Sequence, residues 1–130
     1  VSARLCLTAR QAREWYRIDP RLLAIVTDIV LPLWPEPWAV VTSLARTWEE
    51  DRELGGTGVH ASGPPWRAID LRTNGWDDPR VRDIAVQVNI EWQYDPERPH
   101  KPCALYTEHG TGPHLHLQVH PRTQRRMRHV

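Results

Sequence analysis

The stretch His114-Leu115-His116-Leu117-Gln118-Val119-His120 alternates without interruption between polar ring or amide side chains and aliphatic ones. Side chains on a strand point to opposite faces in turn, so this pattern predicts a strand from His114 to Val119. His114, His116 and Gln118 then share one side, and Leu115, Leu117 and Val119 the other. One face is for packing and one for chemistry. Pro121 ends the strand because it offers no backbone N–H to a ladder.

Working outward, Cys103 to Thr107 is a second candidate strand, joined to the first across a glycine turn. Ala68-Ile69-Asp70-Leu71-Arg72 is a short alternating strand, and Trp38-Ala39-Val40-Val41-Thr42-Ser43 is β-branched and reads as another. Asp78 and Pro79 open a helix in which Val81, Ile84, Ala85, Val88 and Trp92 recur at helical spacing and form one apolar stripe. Near the N-terminus Thr8 caps a helix running to about Ile18, and Asp19 followed by Pro20 starts a second. Leu31 to Pro37 holds three prolines and is expected to be extended. Arg46 to Pro65 turns polar and glycine-rich and reads as a long loop; its charge run Glu49-Glu50-Asp51-Arg52-Glu53 is expected to be solvated. Helix, helix, strand, strand, helix, strand, strand is the order of an α+β domain, a small antiparallel sheet flanked by helices.

A chain of 130 residues holds one ordinary domain. Residues 1–37 form its helical N-terminal part and 121–130 a basic tail. At 40% hydrophobic and 25% charged residues it is neither a disordered tail nor a membrane protein. Arg122, Arg125, Arg126 and Arg128 lie in the tail, which leaves the rest of the chain with 13 basic against 16 acidic side chains. That acidic body, with no groove-reading motif, argues against a nucleic-acid partner. Leu22 to Trp34 is the longest apolar stretch, and Thr27, Asp28 and Pro32 interrupt it, so no membrane insertion is expected. No secretory signal is recognisable, which predicts a chain that is cytoplasmic on synthesis. Cys6 and Cys103 stand at no metal-ligand spacing and are expected to be reduced.

Two imidazoles at i and i+2 lie about 6 to 7 Å apart along a strand, so His114 and His116 can both approach one metal ion. A His-x-His pair is equally satisfied as half-buried, hydrogen-bonded side chains without function. A second cluster adds weight to the metal reading. His60 follows the glycine-rich turn at Gly58, and Asp70 sits inside an otherwise apolar strand. A buried carboxylate is costly without a partner, so Asp70 pairs with an arginine such as Arg46, Arg67 or Arg72, or binds metal. His60, Asp70 and His116 together offer two nitrogens and one carboxylate, a set that suits zinc with a fourth position open to water. Zinc so held lowers the pKa of a water to about 7 and polarises a carbonyl, which is hydrolytic chemistry.

The runs Val40-Val41-Thr42-Ser43-Leu44-Ala45-Arg46, Gly58-Val59-His60-Ala61-Ser62-Gly63, Arg67-Ala68-Ile69-Asp70-Leu71-Arg72 and Pro113-His114-Leu115-His116-Leu117 carry a resemblance. In order and type they resemble the zinc peptidases that group D-alanyl-D-alanine carboxypeptidases, phage endolysin peptidases and lysostaphin-type enzymes with the hedgehog-like fold. The resemblance spans residues 38 to 120. It implies that His60, Asp70 and His116 bind zinc and that His114 stands beside the attacking water as base or electrostatic aid. In the carboxypeptidase branch a Glu precedes the final ligand; here His114 takes that place, as in the lysostaphin-like branch, with Glu108 and His109 as outside candidates for proton transfer. Arg46 matches the arginine that follows the first strand in the carboxypeptidase branch and steadies the substrate carbonyl. A partner for Asp70 or a plain surface charge is the other reading of that residue.

The interval between His60 and Asp70 is longer than the family's usual one, and Gly63-Pro64-Pro65-Trp66 looks like the extra piece. Trp66 is thereby a candidate wall of the substrate cleft, or else packs on the core. Trp92 belongs to the helix stripe, and Trp48 and Trp76 are the tryptophans expected to be exposed. The resemblance implies a monomeric zinc peptidase that hydrolyses an amide bond in the stem or cross-link peptide of bacterial peptidoglycan. It would act at the cell wall if it is a phage lysin. The competing expectation is a non-catalytic zinc-containing wall-binding module of the same fold.

Overall fold

The computed structural model describes residues 2–45, 48–53, 58, 61, 63–73, 77–107 and 112–126. Its first element is a strand that the sequence reading did not contain, β1 (Arg4–Cys6). Thr8 then caps α1 (Ala9–Glu14) in a reciprocal box, in which the Gln11 N–H donates to the Thr8 hydroxyl and the Thr8 N–H donates to the Gln11 side chain. A 3-10 turn, Trp15–Arg17, continues it to the predicted end near Ile18. Asp19 caps α2 (Pro20–Ile25), with proline at the first turn where its missing N–H costs nothing.

The helix does not stop where the prolines begin. A π turn over Val26–Val30 leads into α3 (Leu31–Leu33), which contains Pro32. The expectation of an extended Leu31–Pro37 is therefore corrected for its first three residues. The wider π turn, with the Leu31 N–H donating to the Val26 carbonyl, shifts the hydrogen-bond ladder by one residue. Pro32 thus falls where a new first turn starts and no N–H is needed.

Strand β2 (Trp38–Ser43) follows, then α4 (Trp48–Glu53) inside the stretch read from sequence as loop. Glu-rich Trp-Glu-Glu-Asp-Arg-Glu is good helix-forming sequence, and the charge run lies along one short helix rather than in a coil. Then come β3 (Ala68–Arg72), α5 (Pro79–Glu91), β4 (Trp92–Gln93), β5 (Ala104–Thr107), β6 (His114–Gln118) and β7 (Gln124–Arg125).

The main sheet runs β1-β2-β3-β6-β5 and the architecture is α+β. The sheet is mixed, not purely antiparallel as expected: β1 pairs parallel with β2, and the other pairs are antiparallel. A parallel pair needs a long crossover, and the helices between Ala9 and Leu33 supply it. Ala39, Val41, Ile69, Leu71, Leu115 and Leu117 turn from the sheet toward Leu22, Ile25, Val30, Val81, Ile84 and Val88 on the helices, so the core lies between one sheet face and one helical layer. Asn89 locks α5 to β5: its side-chain oxygen accepts from the Cys103 and Ala104 N–H groups, and its NH2 donates to the Ala104 carbonyl.

The basic tail is partly structural. β7 pairs with β4, the Arg126 N–H donates to the Glu91 carbonyl, and the Arg125 guanidinium lies over the Trp92 ring. Among the described residues no helix is long and apolar enough to cross a membrane. Cys6 and Cys103 are free thiols, and burial pushes Cys103 up to about 12, which keeps it protonated and inert.

Asp19 illustrates how the N-terminal layer is held. It is 1% exposed. Burial alone would raise its carboxyl, but the Arg21 guanidinium donates to both oxygens, at 2.7 and 3.0 Å, and with the Arg21 N–H holds it below the ordinary value. A carboxyl depressed on folding contributes stability above its unfolded pKa of about 4 and loses it as pH falls through the lower folded value. The urea midpoint is thus expected to drop from pH 5 toward pH 2, with a shallower acid limb in Asp19→Asn. An unchanged limb in that variant would show that Asp19 contributes nothing to acid sensitivity.

Candidate metal-binding and catalytic site

The sheet face away from the helices carries the polar residues. The register places Asp70 opposite His116 and Arg72 opposite His114, all pointing the same way because every second residue of a strand shares a face. Ser43 of β2 comes level with Asp70 only because the strand bulges between Val41 and Ser43, an irregularity that no sequence pattern announced. Ser43 is buried there beside the carboxylate.

Asp70 is 7% exposed, and its Oδ1 lies 2.7 Å from Nδ1 of His116. The other ring nitrogen, Nε2, lies 3.0 Å from Oε1 of Gln118. Among the arginines weighed as partners for Asp70, Arg67 precedes β3, and its charge acts on Asp19. Arg72 shares the face of Asp70 yet forms no ion pair with a described acid. Histidine is thus the described partner of this carboxylate.

Two acceptors converge on one ring, a carboxylate at Nδ1 and an amide oxygen at Nε2. If Nε2–H donates to Gln118, the neutral ring presents a lone pair at Nδ1 to a carboxylate 2.7 Å away, and two acceptors at that range need a cation between them. A proton meets that need at this distance, and a divalent metal would meet it with the two atoms parted to about 3.3 Å. One imidazole and one carboxylate, with a neighbour holding the far ring nitrogen, is a donor set that fits zinc.

His114 is half-buried, and its Nδ1 sits 3.0 Å from the Gly112 carbonyl oxygen. A carbonyl only accepts, so Nδ1 carries the proton and Nε2 is left with its lone pair directed elsewhere. The turn that aims this carbonyl depends on Gly112, whose φ of 117° lies in the left-handed region that side chains resist. Thr73 fixes the next residue, donating through both its N–H and its hydroxyl to the Pro113 carbonyl.

His60 and Arg46 lie outside the described residues, as do Glu108, His109 and Trp76, and so does the side chain of Trp48. Gly58 and Ala61 are both buried, and the Ala61 N–H donates to the Gly58 carbonyl. Among the described residues no three His, Cys, Asp or Glu side chains gather into a complete metal site; the described pair is Asp70 and His116.

Trp66 packs against the core, the second of the two readings given to it. Its indole N–H donates to Glu14 on α1, and a side chain at Gly63 would run into its ring, which explains the glycine at that position. Trp92 is buried as the helix stripe required. The concavity beside the site is lined instead by Trp34, Trp38, Val40, Arg72, Thr73 and Val81, a shallow cleft of about 20 Å³ that is partly open to solvent. It begins one strand over from His114. Trp38 faces it half-exposed, and the Trp34 indole is held by donating to the Trp38 carbonyl. No residue pattern announces this cleft, because its walls come from three separate segments.

No family model matches this chain, and no curated protein and no solved structure matches it either.

Proposed function

We propose that this chain is a zinc-dependent peptidase that hydrolyses an amide bond in a bacterial peptidoglycan peptide. The observation that carries the reading is the convergence of Asp70 Oδ1 and His116 Nδ1 at 2.7 Å on the polar sheet face, with His114 two residues along the same strand. The fold class within α+β, a hedgehog-like one, and the third ligand, His60, come from the resemblance.

Bound between these side chains, zinc would supply a water acidified toward neutral pH and a Lewis acid for the carbonyl. Asp70 and His116 hold their positions because both stand on central strands whose opposite faces are packed in the core. His114, with Nδ1–H tied to Gly112, offers Nε2 to take a proton from the attacking water and to return it to the leaving amine. Arg46 is assigned the charge that develops on the carbonyl oxygen. Arg72 and the tryptophan-lined cleft beside it suit the polar and apolar parts of a peptide on one side of the scissile bond.

The test is metal analysis of the purified chain followed by mass spectrometry of peptidoglycan digests. About one zinc per chain and the release of peptide fragments that a chelator abolishes are expected. Zinc without hydrolysis would favour the wall-binding module, and a chain that takes up no zinc would sink both.

A further inference from the structure

We propose that Gln118 is a positioning residue that selects which nitrogen of His116 faces the metal position. The inference rests on the zinc reading above and concerns a residue to which neither the motifs nor the resemblance gave a role. Gln118 follows His116 by two residues on β6, so both side chains leave the same sheet face. It is 6% exposed, and a buried amide must satisfy both of its ends.

The amide has one orientation that works. Its NH2 donates to the Pro102 carbonyl at 2.8 Å, which leaves Oε1 facing His116 Nε2 at 3.0 Å. The flipped amide would set oxygen against oxygen at Pro102. An oxygen beside Nε2 calls for a proton on Nε2, and the neutral ring then carries its lone pair on Nδ1, the nitrogen directed at Asp70. Without Gln118 the Asp70 carboxylate, itself an acceptor, would draw the ring proton onto Nδ1 and block that nitrogen for metal. Gln118 and Asp70 thus compete for one proton, and the amide tips the ring toward ligation.

The support behind Gln118 is rigid. Its backbone N–H donates to the Cys103 carbonyl at 2.8 Å, one residue from Pro102. Asn89, on the packed helix α5, clamps the N–H groups of Cys103 and Ala104 at 2.9 and 3.0 Å. A helix in the core thereby fixes a loop carbonyl, the carbonyl fixes an amide, and the amide fixes the ring.

The experiment measures zinc affinity of the full chain by competition with a chromophoric chelator, in wild type, Gln118→Leu and Gln118→Glu. Leucine keeps the bulk and removes the acceptor; glutamate keeps the acceptor at Nε2, and its second oxygen, when protonated, donates to the Pro102 carbonyl in place of the NH2. The leucine variant is expected to bind zinc about 10 to 100 times more weakly, the range found when such outer partners are removed, and glutamate to stay within a few-fold of wild type. Proton NMR of the zinc-loaded wild type should show a slowly exchanging downfield Nε2–H of His116, lost in the leucine variant and kept with glutamate. If leucine prevents folding, as judged by near-UV circular dichroism, Gln118→Asn, which draws the oxygen back by one methylene, is expected to show the same weakening. Wild-type zinc affinity in the leucine or asparagine variant would overturn the role of Gln118 and leave the zinc reading intact. A wild-type chain that binds no zinc would overturn the zinc reading itself.

Discussion

Replacing His116 by alanine is expected to remove bound zinc and hydrolysis together while leaving the fold in place. The side chain stands on β6 between β3 and β5, and the residues that pack this strand into the core, Leu115 and Leu117, point the other way. Loss of the ring therefore opens no cavity in the core. Its structural cost falls on Asp70, whose buried carboxylate would lose the imidazole 2.7 Å away, a penalty of about 1 to 3 kcal/mol. The functional cost is larger, because a ligand is removed outright, and the decline in zinc affinity should exceed the roughly 10- to 100-fold seen for outer partners alone. Zinc per chain by mass spectrometry, peptide release from purified peptidoglycan and a urea curve separate these effects. A folded variant that retained zinc and digested the wall at the wild-type rate would end the proposal.

Replacing His114 by alanine should divide what the first substitution joins. Its Nδ1–H is tied to Gly112, and it stands opposite Arg72 rather than Asp70, so most of the zinc should stay. Hydrolysis should fall by about 100- to 10,000-fold, the usual worth of a positioned acid-base group. Unchanged KM with reduced kcat is the expected pattern for a group that acts on the proton and not on binding. If zinc falls in step with activity, His114 is a ligand, and the base must be sought elsewhere.

Much of the frame was legible because it depends on local rules. Thr8, Asp19 and Asp78 cap their helices as their residue types predicted, and the stripe from Val81 to Trp92 buries the face that its spacing defined. Strands Trp38–Ser43, Ala68–Arg72 and His114–Gln118 follow from β-branching and alternation. What escaped the sequence reading was set by distant partners. Three residues at Arg4–Cys6 become a strand only because β2 offers an edge, and Pro32 stays helical only because a π turn precedes it. Gln124 and Arg125 read as tail until β4 gives them something to pair with.

The same division runs through the site. Alternation alone put His114, His116 and Gln118 on one face and told that face apart from the core, since a strand has a period of two whatever surrounds it. Which carboxylate meets which ring is a matter of register between β3 and β6, and Asp70 meets His116 because residues 46 positions apart are brought level by that pairing. The direction of the Gln118 amide, the lone pair left on His114 and the cleft beside Arg72 arise from contacts with Pro102, Gly112 and Trp34, all remote in the chain or across a turn. Residue type and spacing determine what a side chain is able to do. Only the packed sheet decides what it faces, because hydrogen-bond geometry is fixed by partners whose distance in space a linear sequence does not record.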